Sequence, residues 1–358
     1  MTNLKRFQNA LSEVGAECAI ISSEINQRYL SDFSFSDGYI LVTPNEAFLL
    51  TDSRYIEAAR SAVTELSVLL PSGGMLETLK KLISDRKIRE VAIEEAELSC
   101  NGLKRFTEKL SETEIKFGAS EILKELRAVK SSKEIARIAE AQRLTDEAFL
   151  HILDYISPER TERDVALELE FFMRKMGAEC VAFDTIAVSG KSSSLPHGVP
   201  SDIPLQNGFL TMDFGARVDG YCSDMTRTVV IGRADDEMKH VYDTVLRAQK
   251  TALGVIRGGI ACKDADEAAR SIIREAGYGQ NFGHSLGHGV GMFIHEFPSL
   301  SPKADPSSVL RAGNVVTVEP GIYLEGKYGC RIEDMIAINE DGSVHNFTKS
   351  KKELIEII

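Results

Sequence analysis

Residues 213–228 read DFGARVDGYCSDMTRT, and the Asp219-Gly220 pair at their centre constrains the chain more than any other feature. An Asp-Gly pair flanked by alternating residues is the strongest short-range signal for a two-residue hairpin turn. Both central positions of that turn need a positive φ, which Asp tolerates and Gly adopts freely. With the turn placed there, Asp224 falls opposite Gly215 and Asp213 opposite Thr226. Side chains alternate across a strand, so one face carries Thr211, Asp213, Gly215, Arg217, Cys222, Asp224, Thr226 and Thr228. The other carries Leu210, Met212, Phe214, Ala216, Tyr221, Ser223, Met225, Arg227 and Val229; it is mostly apolar and is expected to pack under helices. The two aspartates share a face and sit diagonally, at roughly 7–8 Å. Gly215, with no side chain, leaves space beside Asp224. Like charges in a partly dry pocket are costly unless protonated or met by cations, and divalent ions meet that need. For this hairpin taken alone, a solvated strand face with Arg217 or Arg227 pairing the acids explains the pattern equally well.

Further along the chain the balance shifts towards a site. VVTVEPGIY puts Glu319 after an apolar strand and just before Pro320-Gly321. GCRIEDM puts Arg331 and Glu333 two apart, on one face of the returning strand. Asp334 lies on the opposite face and by chemistry alone is an alternative to Glu333; the intervening loop is too long to set the register. FGHSLGHGVGMFIHE supplies His284, His288 and His295, with glycines that argue against a helix. His288 and His295 would leave a regular strand on opposite faces, so a bulge or bend at Gly289 or Gly291 is needed to bring both into one site. Any one of these histidines reads as structural. Three around a glycine-rich turn, beside four placed carboxylates, favour a site.

A chain of 358 residues exceeds one ordinary core, which predicts two domains, 1–124 and 125–358. The first alternates strand and helix: a strand in AECAIISS, a hairpin turning at Pro44-Asn45, helices in SRYIEAARSAV and MLETLKKLISD, and a strand in EVAIEE. Asp52 and Arg54 there read as an ion pair rather than a site. In the second, Ser131 and Glu134 form a capping box that opens a helix over about 132–156. A further helix opens at Thr161 and Asp164, followed by an irregular segment with His197 and then the acidic hairpin. The order recurs: a long helix from about 237, a helix near 264–276, the histidine stretch, and an acidic hairpin over 315–335. Asp213 recurs as Glu319 and Asp224 as Glu333, at offsets of 106 and 109 residues. The repeat is one of structure rather than residue identity, and it predicts two halves whose acidic hairpins face each other.

A formal charge of −12 and a pI near 5.2 argue against nucleic acid or an anionic membrane as partner. The six cysteines are scattered without a CxxC pair, and read as reduced thiols rather than a zinc site. The first residues lack signal-peptide architecture and the apolar runs are too short to span a bilayer, so a cytoplasmic protein is expected.

Taken together, MDFGA, YCSDMTRT, GHGVG, His295-Glu296-Phe297-Pro298, VEPGIY and RIED resemble the metallopeptidases of the pita-bread fold: Xaa-Pro aminopeptidases, prolidases and, more distantly, methionine aminopeptidases. FDTIAVSG and LPHG fit the Xaa-Pro branch, whereas Met292-Phe293-Ile294 departs from the family's usual pattern. Residues 1–124 resemble the accessory domain shared by prolidases, aminopeptidases P and creatinases, which methionine aminopeptidases lack.

The resemblance implies an α/β (α+β) fold: an N-terminal creatinase-like domain, then a pita-bread domain with a curved, mainly antiparallel sheet and an internal pseudo-two-fold. It implies two divalent ions, one held by Asp213, both bridged by Asp224 and Glu333, the second completed by His288 and Glu319. Creatinases, which work without metal, lose these ligands. One nitrogen among mostly oxygen donors suits Mn²⁺ foremost, with Co²⁺ or Zn²⁺ as alternatives. Glu319 would accept and return a proton, and His295 would stabilise the tetrahedral oxygen. His197 and His284 would contact substrate or relay a proton. Arg331 would orient Asp224, bind a substrate carboxylate, or serve as a plain ion pair. The expected reaction is hydrolysis between an N-terminal residue and proline, by an aminopeptidase or dipeptidase acting as a homodimer on peptides with proline second. A catalytically inactive peptide-binding module on the same fold is the alternative.

Overall fold

Short apolar runs separated by amphipathic helices build the N-terminal part of the chain. In the computed structural model, which describes all 358 residues, Met1–Arg127 forms one unit and Ala128–Ile358 another. The first has strands β1 (Cys18–Ile21), β2 (Tyr39–Val42), β3 (Ala47–Leu50), β4 (Ser67–Leu69), β5 (Glu90–Ile93) and β6 (Glu114–Phe117), in the sheet order β4-β3-β2-β1-β5-β6. Helices α1 (Asn3–Glu13), α2 (Glu24–Ser31), α3 (Ile56–Ala62), α4 (Met75–Asp85), α5 (Cys100–Lys109) and α6 (Ala119–Ala128) intervene or follow. β1, β5 and β6 run parallel, while β1, β2 and β3 form an antiparallel meander whose second turn lies between Val42 and Ala47, as Pro44-Asn45 predicts. Ile20, Leu41, Leu50, Leu79, Ile83 and Phe106 make its core. Glu94, fully buried after β5, accepts hydrogen bonds from Ser23 N, Ser23 Oγ and Asn26 Nδ2 at 2.9, 2.7 and 2.6 Å, which pins the start of α2. Asp52 and Arg54 form an exposed ion pair.

The second unit is built twice from one plan. Its first half has α7 (Ser132–Tyr155), α8 (Glu162–Lys175), and strands β7 (Cys180–Val181), β8 (Ile186–Ser189), β9 (Gly208–Phe214), β10 (Ala216–Val218), β11 (Tyr221–Cys222) and β12 (Met225–Ile231). Its second has α9 (Asp236–Val255), α10 (Cys262–Glu275), β13 (Gly287–Gly289), β14 (Glu296–Leu300), β15 (Val315–Val318), β16 (Gly321–Leu324), β17 (Tyr328–Arg331), β18 (Asp334–Ile338), β19 (Val344–Asn346) and β20 (Glu356–Ile357). The capping box expected at Ser131 and Glu134 forms, and Thr161 and Asp164, which open the next helix as expected, form a second one. The larger sheets run β20-β12-β9-β8 and β14-β13-β15-β18-β19. Leu144, Phe149 and Leu169 from α7 and α8 pack on Met212, Phe214 and Met225, the apolar face expected of the hairpin. Val241, Val245 and Ile273 from α9 and α10 pack on Val316, Ile336 and Ile338. Each such side chain contributes about 1.5–3 kcal/mol on burial, so the helices clamp the sheets from behind and leave the polar faces to meet.

The first hairpin keeps the register set by Asp219-Gly220: Val218 pairs with Tyr221, Arg217 with Cys222, Phe214 with Met225 and Asp213 with Thr226. Asp219 and Gly220 have φ of 46° and 85°, the pair of positive values that the turn requires. The role expected of Gly215 needs correcting. A Cβ there would lie 2.0 Å from the Ser223 carbonyl oxygen, so the glycine permits a close backbone approach rather than leaving room beside Asp224.

In the second hairpin Val318 pairs with Asp334 and Gly321 with Arg331, one continuous register that sets Glu319 opposite Glu333. This changes the equivalence drawn from sequence offsets. Asp213 matches Glu319, but Asp224, opposite a glycine, matches Arg331, and Glu333 matches Thr226.

Candidate active site

The two hairpins present their polar faces to each other. Thr211 and Thr228 hydroxyls lie 3.1 Å apart, Thr211 Oγ1 donates to Gly329 O at 3.2 Å, and Thr228 Oγ1 donates to Arg331 O at 2.9 Å. Thr226 Oγ1 donates to Glu333 Oε2 at 2.7 Å and Glu333 N–H donates to Thr226 O at 3.1 Å. These bonds lock the halves and bring Asp213, Asp224, His288, Glu319 and Glu333 to one cavity of about 600 Å³. One ligand atom each from Asp224, His288 and Glu333 lies within 4.8 Å of the others. His288 Nε2 is 3.3 Å from Glu319 Oε1 and 3.5 Å from Asp224 Oδ2. His288 Nδ1 donates to Gly289 O at 3.1 Å, so Nε2 is the ring nitrogen that faces the carboxylates and would turn its lone pair to a cation once its proton is displaced.

The ladder slips between His288 and Gly289, so that Gly289 pairs with Glu296. This is the bulge that the seven-residue spacing demanded, and it sets the His288 and His295 rings edge to face with centroids 4.3 Å apart. His284 lies in the same cavity, its Nδ1 donating to Ser285 O at 2.8 Å and its Nε2 accepting from Tyr323 O–H at 3.1 Å. His197 lines the cavity from an exposed turn.

Arg331 is buried and does not orient Asp224. Its Nη2 donates to Asp213 Oδ2 at 2.5 Å, Nε to Thr226 Oγ1 at 2.9 Å, and Nη1 to Tyr323 Oη at 2.6 Å and Pro196 O at 3.3 Å. The extended strand explains the choice: Arg331 faces Gly321 in the ladder and reaches across to the strand carrying Asp213. Neither Arg217 nor Arg227 meets the site acids. Arg217 donates to Gly220 O, and Arg227 is paired at 2.8 Å with Asp334, which also accepts from Lys352 and Asn346. Asp334 is thereby committed on the far face, leaving Glu333 in the cavity.

The electrostatics set the acids apart. Burial, with the charges of Glu333, Asp213 and Glu319, pushes Asp224 well above the usual carboxylate range. Burial and the neighbouring Glu319 and Asp213 do the same for Glu333. Asp213 is raised by burial, against the pull of Arg331. Burial also opposes charge on Glu319, but hydrogen bonding to His288 and the charges of His288, His284 and Arg331 bring it down to about 2. His288 rises because Glu319 outweighs its burial, whereas burial lowers His284 and His295.

Asp213 Oδ1 and Glu333 Oε1 are buried without a hydrogen-bond partner. Leaving such acceptors bare costs about 1–3 kcal/mol each. Clustered carboxylates, bare oxygens and an imidazole whose Nε2 faces inward fit hard divalent cations. Sequence reasoning assigned nothing to Thr226 and Tyr323. Thr226 stood on the predicted polar face and Tyr323 in the VEPGIY segment, but their partners come from the opposite hairpin or beyond a loop.

Two acidic hairpins closing on one imidazole, with acceptor oxygens that no donor of the chain reaches, define a metalloenzyme site. The Metallopeptidase family M24 pattern matches residues 136–340, and the Creatinase/Prolidase N-terminal domain matches residues 3–129. The uncharacterized peptidase YqhT of Bacillus subtilis (strain 168) is 40% identical over 353 residues, covering 98% of this chain and 99% of its own. The solved structure of an Xaa-Pro dipeptidase from Bacillus anthracis superposes with a TM-score of 0.95 at 38% identity, covering 99% of each chain. That of an X-Pro aminopeptidase from Thermotoga maritima MSB8 gives 0.91 at 39% identity, covering 98% of this chain and all of the other. The chain belongs to metallopeptidase family M24, with a creatinase-like N-terminal domain and a pita-bread C-terminal domain. No helix is long and apolar enough to cross a membrane.

Proposed function

We propose that this chain is an exopeptidase that hydrolyses the bond between an N-terminal residue and proline. The observation that carries the reading is the buried acid cluster with its two bare oxygens, in a chain 38% identical over 99% of its length to an Xaa-Pro dipeptidase. Asp213, Asp224, His288, Glu319 and Glu333 hold two divalent ions, Mn²⁺ foremost. When bound, the ions polarise the scissile carbonyl and activate a water at neutral pH. Glu319 accepts a proton and returns it to the proline nitrogen, which carries no hydrogen before cleavage. His295, whose ring stands beyond that of His288, donates to the oxygen that becomes charged in the tetrahedral state. His284, held by Ser285 and Tyr323, and His197, on its turn, contact substrate. Arg331 holds Asp213 in place. Residues 1–124 act as the accessory domain and 125–358 as the catalytic one, in a cytoplasmic homodimer.

Of the two exopeptidase forms, dipeptidase has the support of the Bacillus anthracis relative and aminopeptidase that of the Thermotoga maritima one. The test incubates the Mn²⁺-loaded protein with Ala-Pro and with Ala-Pro-Ala. Cleavage of Ala-Pro alone assigns a dipeptidase, and cleavage of Ala-Pro-Ala an aminopeptidase. Failure to cleave either, with metal bound, overturns the proposal.

A further inference from the structure

His295 is exposed, and no hydrogen bond fixes its ring. Apart from the edge of His288, its position rests on the backbone turn that leads to it. That turn is tied at several points. Gly291 N–H donates to Phe293 O at 3.0 Å, and Phe293 N–H donates to Glu296 Oε1 at 3.0 Å. The Glu296 carboxylate lies against Gly291, where a Cβ would be 2.3 Å from Oε2. On the other side, Gly291 O accepts from Cys222 N–H at 2.8 Å, which ties the turn to the hairpin carrying Asp224.

Glu296 is therefore the side chain that closes the turn, and its second oxygen goes to Lys130. The ammonium of Lys130 stands 3.2 Å from Glu296 Oε2, with the two side chains 1% and 3% exposed. Lys130 immediately precedes the capping box of α7, and Glu134 of that box accepts the Tyr221 hydroxyl at 2.8 Å. The short segment 130–134 thus grips both the histidine turn and the tip of the first hairpin. A buried ion pair holds direction well, because either partner left alone is an uncompensated charge.

We propose that Lys130 is a positioning residue: through Glu296 it sets the 291–296 turn, and so places the His295 ring over His288. A small displacement of a group that acts in the transition state lowers turnover about 10²-fold without affecting ground-state binding.

The test compares wild type, Lys130→Met, Lys130→Arg and the double variant Lys130→Met/Glu296→Gln. The double variant removes both charges of the pair together and keeps an acceptor for Phe293 N–H, so it separates positioning from loss of fold. In the metal-free full-length protein, NMR of the seven histidine rings reads the ring-current shift that His288 imposes on His295. In both Met variants the His295 signal is expected to move towards that of a solvated imidazole while the His284 signal stays. Turnover of an Xaa-Pro peptide by the Mn²⁺-loaded protein should fall roughly 10–100-fold with KM within about threefold, and Lys130→Arg should restore most of it. A folded double variant with the wild-type His295 signal and wild-type turnover overturns the proposal, as does a lowered melting temperature with an unmoved His295 signal. The kinetic arm rests on the proposed peptidase activity and the ring signals do not. Absence of turnover in the wild type would therefore overturn that activity while the NMR arm still decides the role of Lys130.

Discussion

Replacing Asp224 by Asn should stabilise the metal-free protein while abolishing its peptidase activity. Asp224 is buried, and besides His288 Nε2 at 3.5 Å its neighbours in the cavity are the carboxylates of Glu333, Asp213 and Glu319. Its pKa in the folded protein is raised by burial and those charges, so the folded state holds the proton more tightly than the unfolded chain. For a carboxyl raised on folding, stability is unaffected below the unfolded pKa, near 3.9, and falls as pH rises towards the folded value. Asparagine has the same shape and no charge, so its advantage is near zero at pH 4 and full once the aspartate ionises. Removing one such repulsion is worth about 1–3 kcal/mol. For a unit the size of Ala128–Ile358, each kcal/mol moves the melting temperature by about 2–4 °C, giving roughly 2–12 °C. Calorimetry in EDTA at pH 8 and pH 4 reads the difference. With Mn²⁺ at about 100 times its Kd, the wild type gains about 2.7 kcal/mol, and the variant loses most of that gain together with turnover. An asparagine variant that melts below the wild type in EDTA at pH 8, or that keeps the full Mn²⁺ stabilisation, refutes the reasoning.

Gly215→Ala should weaken both fold and metal uptake, because its Cβ would meet Ser223 O at 2.0 Å and the strands carrying Asp213 and Asp224 must part. About 3 kcal/mol is expected in urea unfolding, with lower Mn²⁺ affinity by titration; unchanged affinity would argue against this backbone contact as the spacer. Arg227→Met, which strips Asp334 of one buried partner and the Glu333 carbonyl of a donor, should cost about 3–5 kcal/mol, and a loss under 1 kcal/mol would contradict the assignment. Metal uptake should release protons, since Asp213, Asp224 and Glu333 all hold theirs more tightly than free carboxyls do in the metal-free site, and apparent affinity should climb with pH. Calorimetric titration in buffers of different ionisation enthalpy, carried from acid to neutral pH, measures the release, and none anywhere across that range would count against a shared acid cluster.

What the sequence revealed, it revealed through local rules. An Asp-Gly turn needs only its own backbone, and from it the whole ladder from Val218–Tyr221 to Ile231–Gly208 follows. Capping boxes span three residues, so the starts of α7 and α8 were equally legible. The spacing of His288 and His295 demanded a bulge, which lies between His288 and Gly289. Choices that depend on distant partners were closed to such rules. Glu333 rather than Asp334 faces the cavity because Arg227 and Lys352 hold Asp334 on the other side. Arg331 goes to Asp213 because the meeting of the halves brings it there. The tie between Lys130 and Glu296 spans 166 residues and has no sequence signature at all.

The same long-range geometry explains why a symmetric plan yields an asymmetric site. In each hairpin one glycine faces the key residue of the returning strand: Gly215 faces Asp224 in the first, and Gly321 faces Arg331 in the second. Equivalent positions thus carry an anion in one half and a cation in the other. A second acid at position 331 would add a fifth carboxylate to a set in which Asp213, Asp224 and Glu333 are already pushed up by one another and by Glu319. Arginine at that place instead fixes Asp213 from outside the cluster and, through Tyr323, reaches His284. The duplicated scaffold supplies position and register, and the exchanges that break its charge symmetry, Asp224 for Arg331 and Thr226 for Glu333, hold the cluster at four carboxylates with one cation at its edge.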